Sequence, residues 1–135
     1  MPDTQLTIFT DGGARGNPGP AGIGFVIKSG DTVVRTGKEY IGHATNNQAE
    51  YKAVLAALTQ AKQLGAQEID VYADSELVVN QLSRKAKIKN ENLGSLFVQI
   101  WNLLMHFKRV SFHHIPREQN SAADSLVNQA IDQAL

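Results

Sequence analysis

LTIFTDGG, residues 6–13, decides how this chain is laid out. Residues 5–10 read as a strand carrying apolar side chains on both faces, the pattern of a strand covered on both sides in the middle of a sheet. Asp11 ends that run, and Gly12-Gly13 follow. A second strand-like run, EIDVYA at 68–73, ends in the same way at Asp74. Two neighbouring parallel strands would bring these aspartates together at their C-terminal ends. Glu50 lies near the start of a helical pattern, TNNQAEYKAVLAAL (45–58), and Asp124 near the start of another, NSAADSLVNQA (120–130). Clustered carboxylates repel unless a cation sits among them, and hard oxygen ligands suit Mg²⁺ or Mn²⁺.

The chain has 135 residues, the size of one domain, and its 42% hydrophobic content is enough for a core. With no cysteine, disulfides and thiolate metal sites are excluded, and a reducing compartment fits. No apolar run approaches the roughly 18 residues of a membrane helix, and nothing before LTIFT reads as a signal peptide. The expectation is a cytoplasmic protein. Thirteen basic and thirteen acidic residues cancel, so net charge does not point to a nucleic-acid partner. Locally the balance differs, because RKAKIK at 84–89 places four positive charges in six residues.

GGARGNPGP (12–20) reads as a loop, since its glycines and prolines oppose regular structure. GIGFVIKS (22–29) and TVVRTGKEYI (32–41) read as a hairpin turning at Ser29-Gly30-Asp31, the second strand polar enough for an edge. Tyr51, Val54, Leu55, Leu58 and Ala61 keep helical spacing, and Gly65 suits the stop. After the strand with Ile69, Val71 and Ala73, Ser75 is a candidate cap for a short helix. Leu93, Leu96, Phe97, Ile100, Leu104 and Phe107 form the clearest helical stripe. VSFHHI (110–115) is the last strand. The final helix runs from about Ser121 to Ala134 with Leu126, Ala130 and Ile131 inward.

The order is therefore β-β-β-α-β-α-α-β-α, an α/β fold with a five-stranded mixed sheet and helices on both faces. The first, fourth and fifth strands should run parallel, with the first in the middle. Ligands of such sheets sit beyond the carboxyl ends of the strands at the switch point, where Asp11 and Asp74 both fall. Singly, each acid has a plainer reading. Asp11 before two glycines is turn chemistry, Asp74 suits a helix start, and Glu50 and Asp124 complement helix dipoles. Convergence of all four on one end of one sheet favours metal. Two divalent ions about 4 Å apart serve an in-line phosphoryl displacement.

Other candidates carry less. GGARGNPG lacks the Lys-Ser/Thr ending of a phosphate-binding P-loop, although its small residues would let backbone approach a bulky ligand. His113 and His114 alternate on a strand, so one should face the core. His43 reads as a surface histidine and Trp101 as packing. The 84–89 run is a solvated face unless it grips a phosphate backbone.

Together, DGGARGNPGPAG, TNNQAEYKAVLAAL, YADSELVVNQL and HIPREQNSAADSLVNQA resemble the type 1 ribonuclease H family. The resemblance spans residues 5 to 133, with four motifs in order, and treats 1–135 as a single RNase H domain. It implies an RNase H-like fold and an endonuclease that cuts the RNA strand of RNA–DNA hybrids, leaving 5′-phosphate and 3′-hydroxyl ends. It implies two Mg²⁺ or Mn²⁺ ions held by Asp11, Glu50, Asp74 and Asp124. Asp11 would bridge the ions, Glu50 and Asp74 would complete one site, and Asp124 would serve the ion that positions water. Asn17, Asn46 and Asn47 match positions touching the hybrid's minor groove, where 2′-hydroxyls are displayed. Gly12, Gly13 and Ala14 would add backbone contacts, and Thr45 and Asn90 would hold a DNA-strand phosphate. The partner is thus a hybrid duplex, met by a monomer with no membrane association.

Two departures mark the chain as similar to the compact bacterial and archaeal branch. RKAKIKNENL leads straight into the long helix, with no room for the basic protrusion many members carry. The histidine that many members have in a loop before the last helix is missing from PREQN, where Arg117 stands as a partial substitute. These departures motivate a rival reading, a non-catalytic or weakly active nucleic-acid-binding module on the same fold. A third reading is a nuclease for DNA junctions or duplex RNA, against which TNNQAE and GNPG weigh. Retention of all four acids favours catalysis, because repelling carboxylates have no use in binding a polyanion without metal.

Overall fold

The computed structural model describes residues 5–83 and 91–135, with the side chains of 91–93 outside the description. The basic run at 84–89 and Asn90, a predicted phosphate contact, lie outside the described residues. Strands β1 (Gln5–Ala14), β2 (Gly19–Ser29) and β3 (Thr32–Ala44) precede helix α1 (Asn46–Gln63). Strand β4 (Glu68–Ala73), helices α2 (Glu76–Leu82) and α3 (Glu91–Leu104), strand β5 (Arg109–His114) and helix α4 (Ser121–Ala134) follow. The sheet order is β3-β2-β1-β4-β5. β1 is antiparallel to β2 and parallel to β4, and β4 is parallel to β5. The expected order and the central place of β1 both hold.

One face of the sheet holds the main core. Leu6, Ile8, Ile27, Ile69 and Val71 pack there against Tyr51, Val54 and Leu58 of α1, Val78 and Leu82 of α2, and Leu96 and Ile100 of α3. Removing such side chains from water supplies roughly 1.5–3 kcal/mol each. The Tyr51 hydroxyl, buried in this layer, hydrogen-bonds Gln81 of α2. Thr45 caps α1 in a capping box with Gln48, Ser75 Oγ accepts from the Val78 amide at 3.3 Å, and Gly65 ends the α1 connection at φ 80°.

The other face is covered by α4 over β1–β3. Glycines decide how close it comes. A Cβ on Gly24 would lie 2.6 Å from the Ala123 carbonyl oxygen, and one on Gly22 would lie 3.1 Å from Val127 O. On the opposite face, a Cβ on Gly12 would fall 2.3 Å from the Ala49 backbone. These glycines seat α1 on β1, which carries Asp11, and α4 on the neighbouring β2.

The glycine-rich segment is more regular than its composition predicts. β1 continues through Asp11, Gly12 and Gly13 to Ala14, paired with Gly24, Ile23, Gly22 and Ala21 of β2. Only residues 15–18 bend between the strands. Sheet pairing and flanking helices override the local preference, so Asp11 is a strand residue and not part of a turn. In α4, Ala123, Val127, Ala130 and Ile131 are buried while Leu126 is half-buried, which corrects the predicted stripe by one position. Neither histidine of β5 enters the core. His114 is exposed, and His113 stacks on Tyr72 and bonds Asp70 at 2.9 Å.

Two glycine substitutions should act in opposite directions in thermal melts. Gly24→Ala should lower stability by about 1–3 kcal/mol because the added methyl meets α4 backbone. Gly94→Ala, within α3 and with open space around the new Cβ, should raise it by roughly 0.5–1 kcal/mol.

Candidate active site

Three chain segments deliver acids to the carboxyl end of the parallel strands. β1 carries Asp11 one residue beyond its last β4 partner, β4 ends at Ala73 just before Asp74, and the second turn of α1 carries Glu50. Ligand oxygens of Asp11, Glu50 and Asp74 all lie within 4.8 Å of one another. Asp11 and Glu50 are only 6% and 7% exposed. Asp124, in the first turn of α4, lines the same cleft, and its carboxyl acts electrostatically on Asp11. The structure thus brings together all four predicted acids, with Asp124 at the margin of the tight group of three.

The electrostatics follow from burial. Desolvation, then the charge of Asp74 and the neighbouring Asp124 carboxyl, push the Asp11 carboxyl from its ordinary 3.8 up to about 7. Burial and the charges of Asp11 and Asp74 hold Glu50 well above its ordinary value. Glu50 Oε2 is buried and has no hydrogen-bond partner among the described residues. A buried carboxylate oxygen without a donor is costly unless a cation meets it. The donor set is all hard oxygen, and it fits Mg²⁺, Mn²⁺ or Ca²⁺ better than a softer metal.

These acids open into a cleft of about 470 Å³ bordered by Gly12, Gly13, Asn46, Arg117, Asp124 and Asn128. Asn17 and Asn46 form a clasp at its rim. Asn17 Oδ1 accepts from the Asn46 amide at 3.0 Å, and Asn46 Oδ1 accepts from the Ala14 amide at 2.8 Å. Both side-chain oxygens therefore accept a bond, and neither Nδ2 group has an acceptor among the described residues. Asn47 is half-buried and makes no side-chain hydrogen bond among the described residues. Thr45 Oγ1 accepts from the Gln48 amide at 3.1 Å, which leaves its own proton to donate. Gly12 is buried beneath α1 and its amide donates to Asp11 Oδ1 at 3.0 Å.

Arg117 reaches Asp124 at 3.5 Å with a side chain 79% exposed, a weak, solvent-screened pair. Two polar lining residues were not singled out in the sequence. Asn128 donates to the Asp124 carbonyl at 3.1 Å one turn back in α4, and Arg15 pairs with Asp132 at 2.6 Å. The i, i+4 spacing of Asn128 from Asp124 was a readable signal. The Arg15 pair joins segments 117 residues apart and had none.

Without metal, stability should depend on pH in a definite direction. The folded carboxyls titrate higher than unfolded ones, so the fold binds extra protons between about pH 4 and 7. The Asp11 contribution is complete below its unfolded value near 4 and is lost as pH rises through about 7, and Glu50 acts in the same direction. Melts in EDTA should show a falling midpoint across that window. Asp11→Asn should flatten the fall and raise stability near neutral pH by on the order of 1–2 kcal/mol. A loss of stability instead would make Asp11 a structural residue.

Comparison with known proteins agrees with this geometry. A family model described as reverse transcriptase-like matches residues 9–130. The chain is 46% identical over 132 residues to a bifunctional protein of Mycobacterium tuberculosis, covering 96% of this chain and 36% of that one. It is 44% identical over 131 residues to ribonuclease HI of Halobacterium salinarum, covering 96% of this chain and 66% of that protein. It thus spans about a third of the first relative's length and about two thirds of the second's. The structure of LC11-RNase H1 in complex with an RNA/DNA hybrid superposes with a TM-score of 0.92 at 44% identity, covering 96% of this chain and 98% of that one. With its motifs, sheet order and sequence in agreement from end to end of the match, the chain belongs to the ribonuclease H type 1 family.

Proposed function

We propose that this chain is a metal-dependent endoribonuclease that hydrolyses the RNA strand of RNA–DNA hybrids and leaves 5′-phosphate and 3′-hydroxyl ends. The observation that carries the reading is the tight group of Asp11, Glu50 and Asp74, with a buried Glu50 oxygen that has no hydrogen-bond partner among the described residues, at the floor of an open cleft. Ribonuclease HI relatives and the hybrid-bound LC11-RNase H1 support the substrate class. The reading treats 1–135 as one RNase H domain, acting as a monomer in the cytoplasm.

In this reading Asp11, Glu50, Asp74 and Asp124 are the ligands of two Mg²⁺ or Mn²⁺ ions. When bound, the ions would supply the positive charge that activates water and stabilises the leaving oxygen of an in-line displacement. The protein's own part is positioning. Strand ends hold Asp11 and Asp74 rigidly, and the seat of α1 on Gly12 holds Glu50 against them. Asn17, Asn46 and Asn47 line up amide donors for 2′-hydroxyls and minor-groove base acceptors, which selects RNA on the cleaved strand without base readout. The Thr45 hydroxyl and Asn90 would take a phosphate of the DNA strand. Gly12 and Gly13 let the backbone lie close to the duplex. Arg117, loosely paired and exposed, would leave Asp124 for the product phosphate, in the role a loop histidine fills in many relatives.

A labelled hybrid should be cut in Mg²⁺ or Mn²⁺ and left intact in EDTA, and Asp11→Asn should abolish cutting. Near wild-type cutting by Asp11→Asn would overturn the metal-site assignment, and hybrid binding with no cutting in either metal would favour the binding-module reading. Asn46→Asp keeps the acceptor for the Ala14 amide but replaces the outward donor. It should raise KM for hybrid roughly tenfold, the size of one lost hydrogen bond, with the melting temperature little changed. A KM equal to wild type would remove Asn46 from the substrate surface.

A further inference from the structure

Asn120 is a buried polar residue to which the reading above gives no task. It is 1% exposed and stands immediately before α4, yet its side chain makes no capping bond to the helix. Its Nδ2 instead donates to the Thr10 carbonyl at 2.8 Å and to Asp74 Oδ2 at 3.2 Å. A carbonyl and a carboxylate oxygen both require a donor, so these partners fix which end of the amide is nitrogen. The backbone carbonyl of Asn120 accepts from the Asp124 amide at 3.1 Å. One residue therefore touches the peptide directly before Asp11, the carboxylate of Asp74 and the amide of Asp124.

We propose that Asn120 is a positioning residue that sets the Asp74 carboxylate and ties α4, with Asp124, to the strand end carrying Asp11. The proposal rests on the metal-dependent reading of the site. Its partners argue against a merely local role, because Thr10 and Asp74 lie 110 and 46 residues away in sequence. The chemistry of an amide also suits the task. A lysine or arginine here would neutralise Asp74 and compete with a cation, while an aspartate would add a further negative charge to an already repelling group. A neutral donor occupies one Asp74 oxygen and leaves the carboxylate its charge. Hydrogen-bond partners of metal ligands commonly change metal affinity by about 10–100-fold when removed.

The test is Mn²⁺ binding by calorimetry to the wild type, Asn120→Ala and Asn120→Ser, at a temperature where circular dichroism shows each folded. Asn120→Ala should bind Mn²⁺ at least about tenfold more weakly, and its kcat on hybrid should fall by more than its KM rises. Asn120→Ser, which retains one hydroxyl donor, should recover part of both. Mn²⁺ affinity within twofold of wild type in folded Asn120→Ala would overturn the proposal, even if the melting temperature drops. If neither variant folds, the wild type decides. The Asn120 side-chain amide resonances should shift as Mg²⁺ is titrated, and resonances that stay in place overturn the role. Asp11→Asn run alongside separates the two readings. Its continued cutting of hybrid would remove the functional reading, whereas its inactivity beside unchanged Asn120→Ala affinity removes only the positioning role.

Discussion

Mutual repulsion among Asp11, Glu50 and Asp74 is the constraint around which the rest of the molecule is arranged. Ligand oxygens within 4.8 Å, two of the groups nearly out of solvent, raise the energy of the metal-free fold. A loop could relax away from such a cluster. Strand ends and a helix packed on glycine cannot, because Asp11 sits in paired β1 and α1 rests on Gly12 with no room to slide. The large apolar layer between the sheet and α1–α3 supplies the stability that this repulsion erodes.

The same rigidity organises the rim. Asn17 and Asn46 spend their oxygens on backbone amides, which joins the β1–β2 bend to the start of α1 and orients two amide donors at the mouth of the cleft. A surface presenting donors suits a groove lined by acceptors and 2′-hydroxyls. Such a surface needs little net positive charge to discriminate strands, which is consistent with a balanced chain of thirteen basic and thirteen acidic residues. Binding strength is a separate matter, since phosphate contacts dominate affinity for nucleic acids.

Much of this was legible because local chemistry and global fold agree. Alternation and helical spacing located the strands and helices, and the Ser75 cap is where residue type places it. Reading failed where long-range packing overrode local preference. GGA at 12–14 looks like a loop but completes β1, because glycine is what permits strand and helix backbones to approach. His113 looked like half of a core alternation. It lies instead on the part of the sheet beside Asp70 and Arg109, and Asp70 accepts from both side chains.

By itself the sequence determined the order of elements, the central place of β1 and the four acids that converge at the carboxyl end of the parallel strands. Those follow from periodicity and from the few topologies open to such an order. Only the tertiary structure decided that Asp11 and Glu50 are buried together, that Glu50 Oε2 has no donor among the described residues, and that Asn120 joins Thr10 to Asp74. The reason is physical. Burial and hydrogen-bond partners across 46 and 110 residues depend on how strands and helices pack, and no local pattern in the chain encodes them.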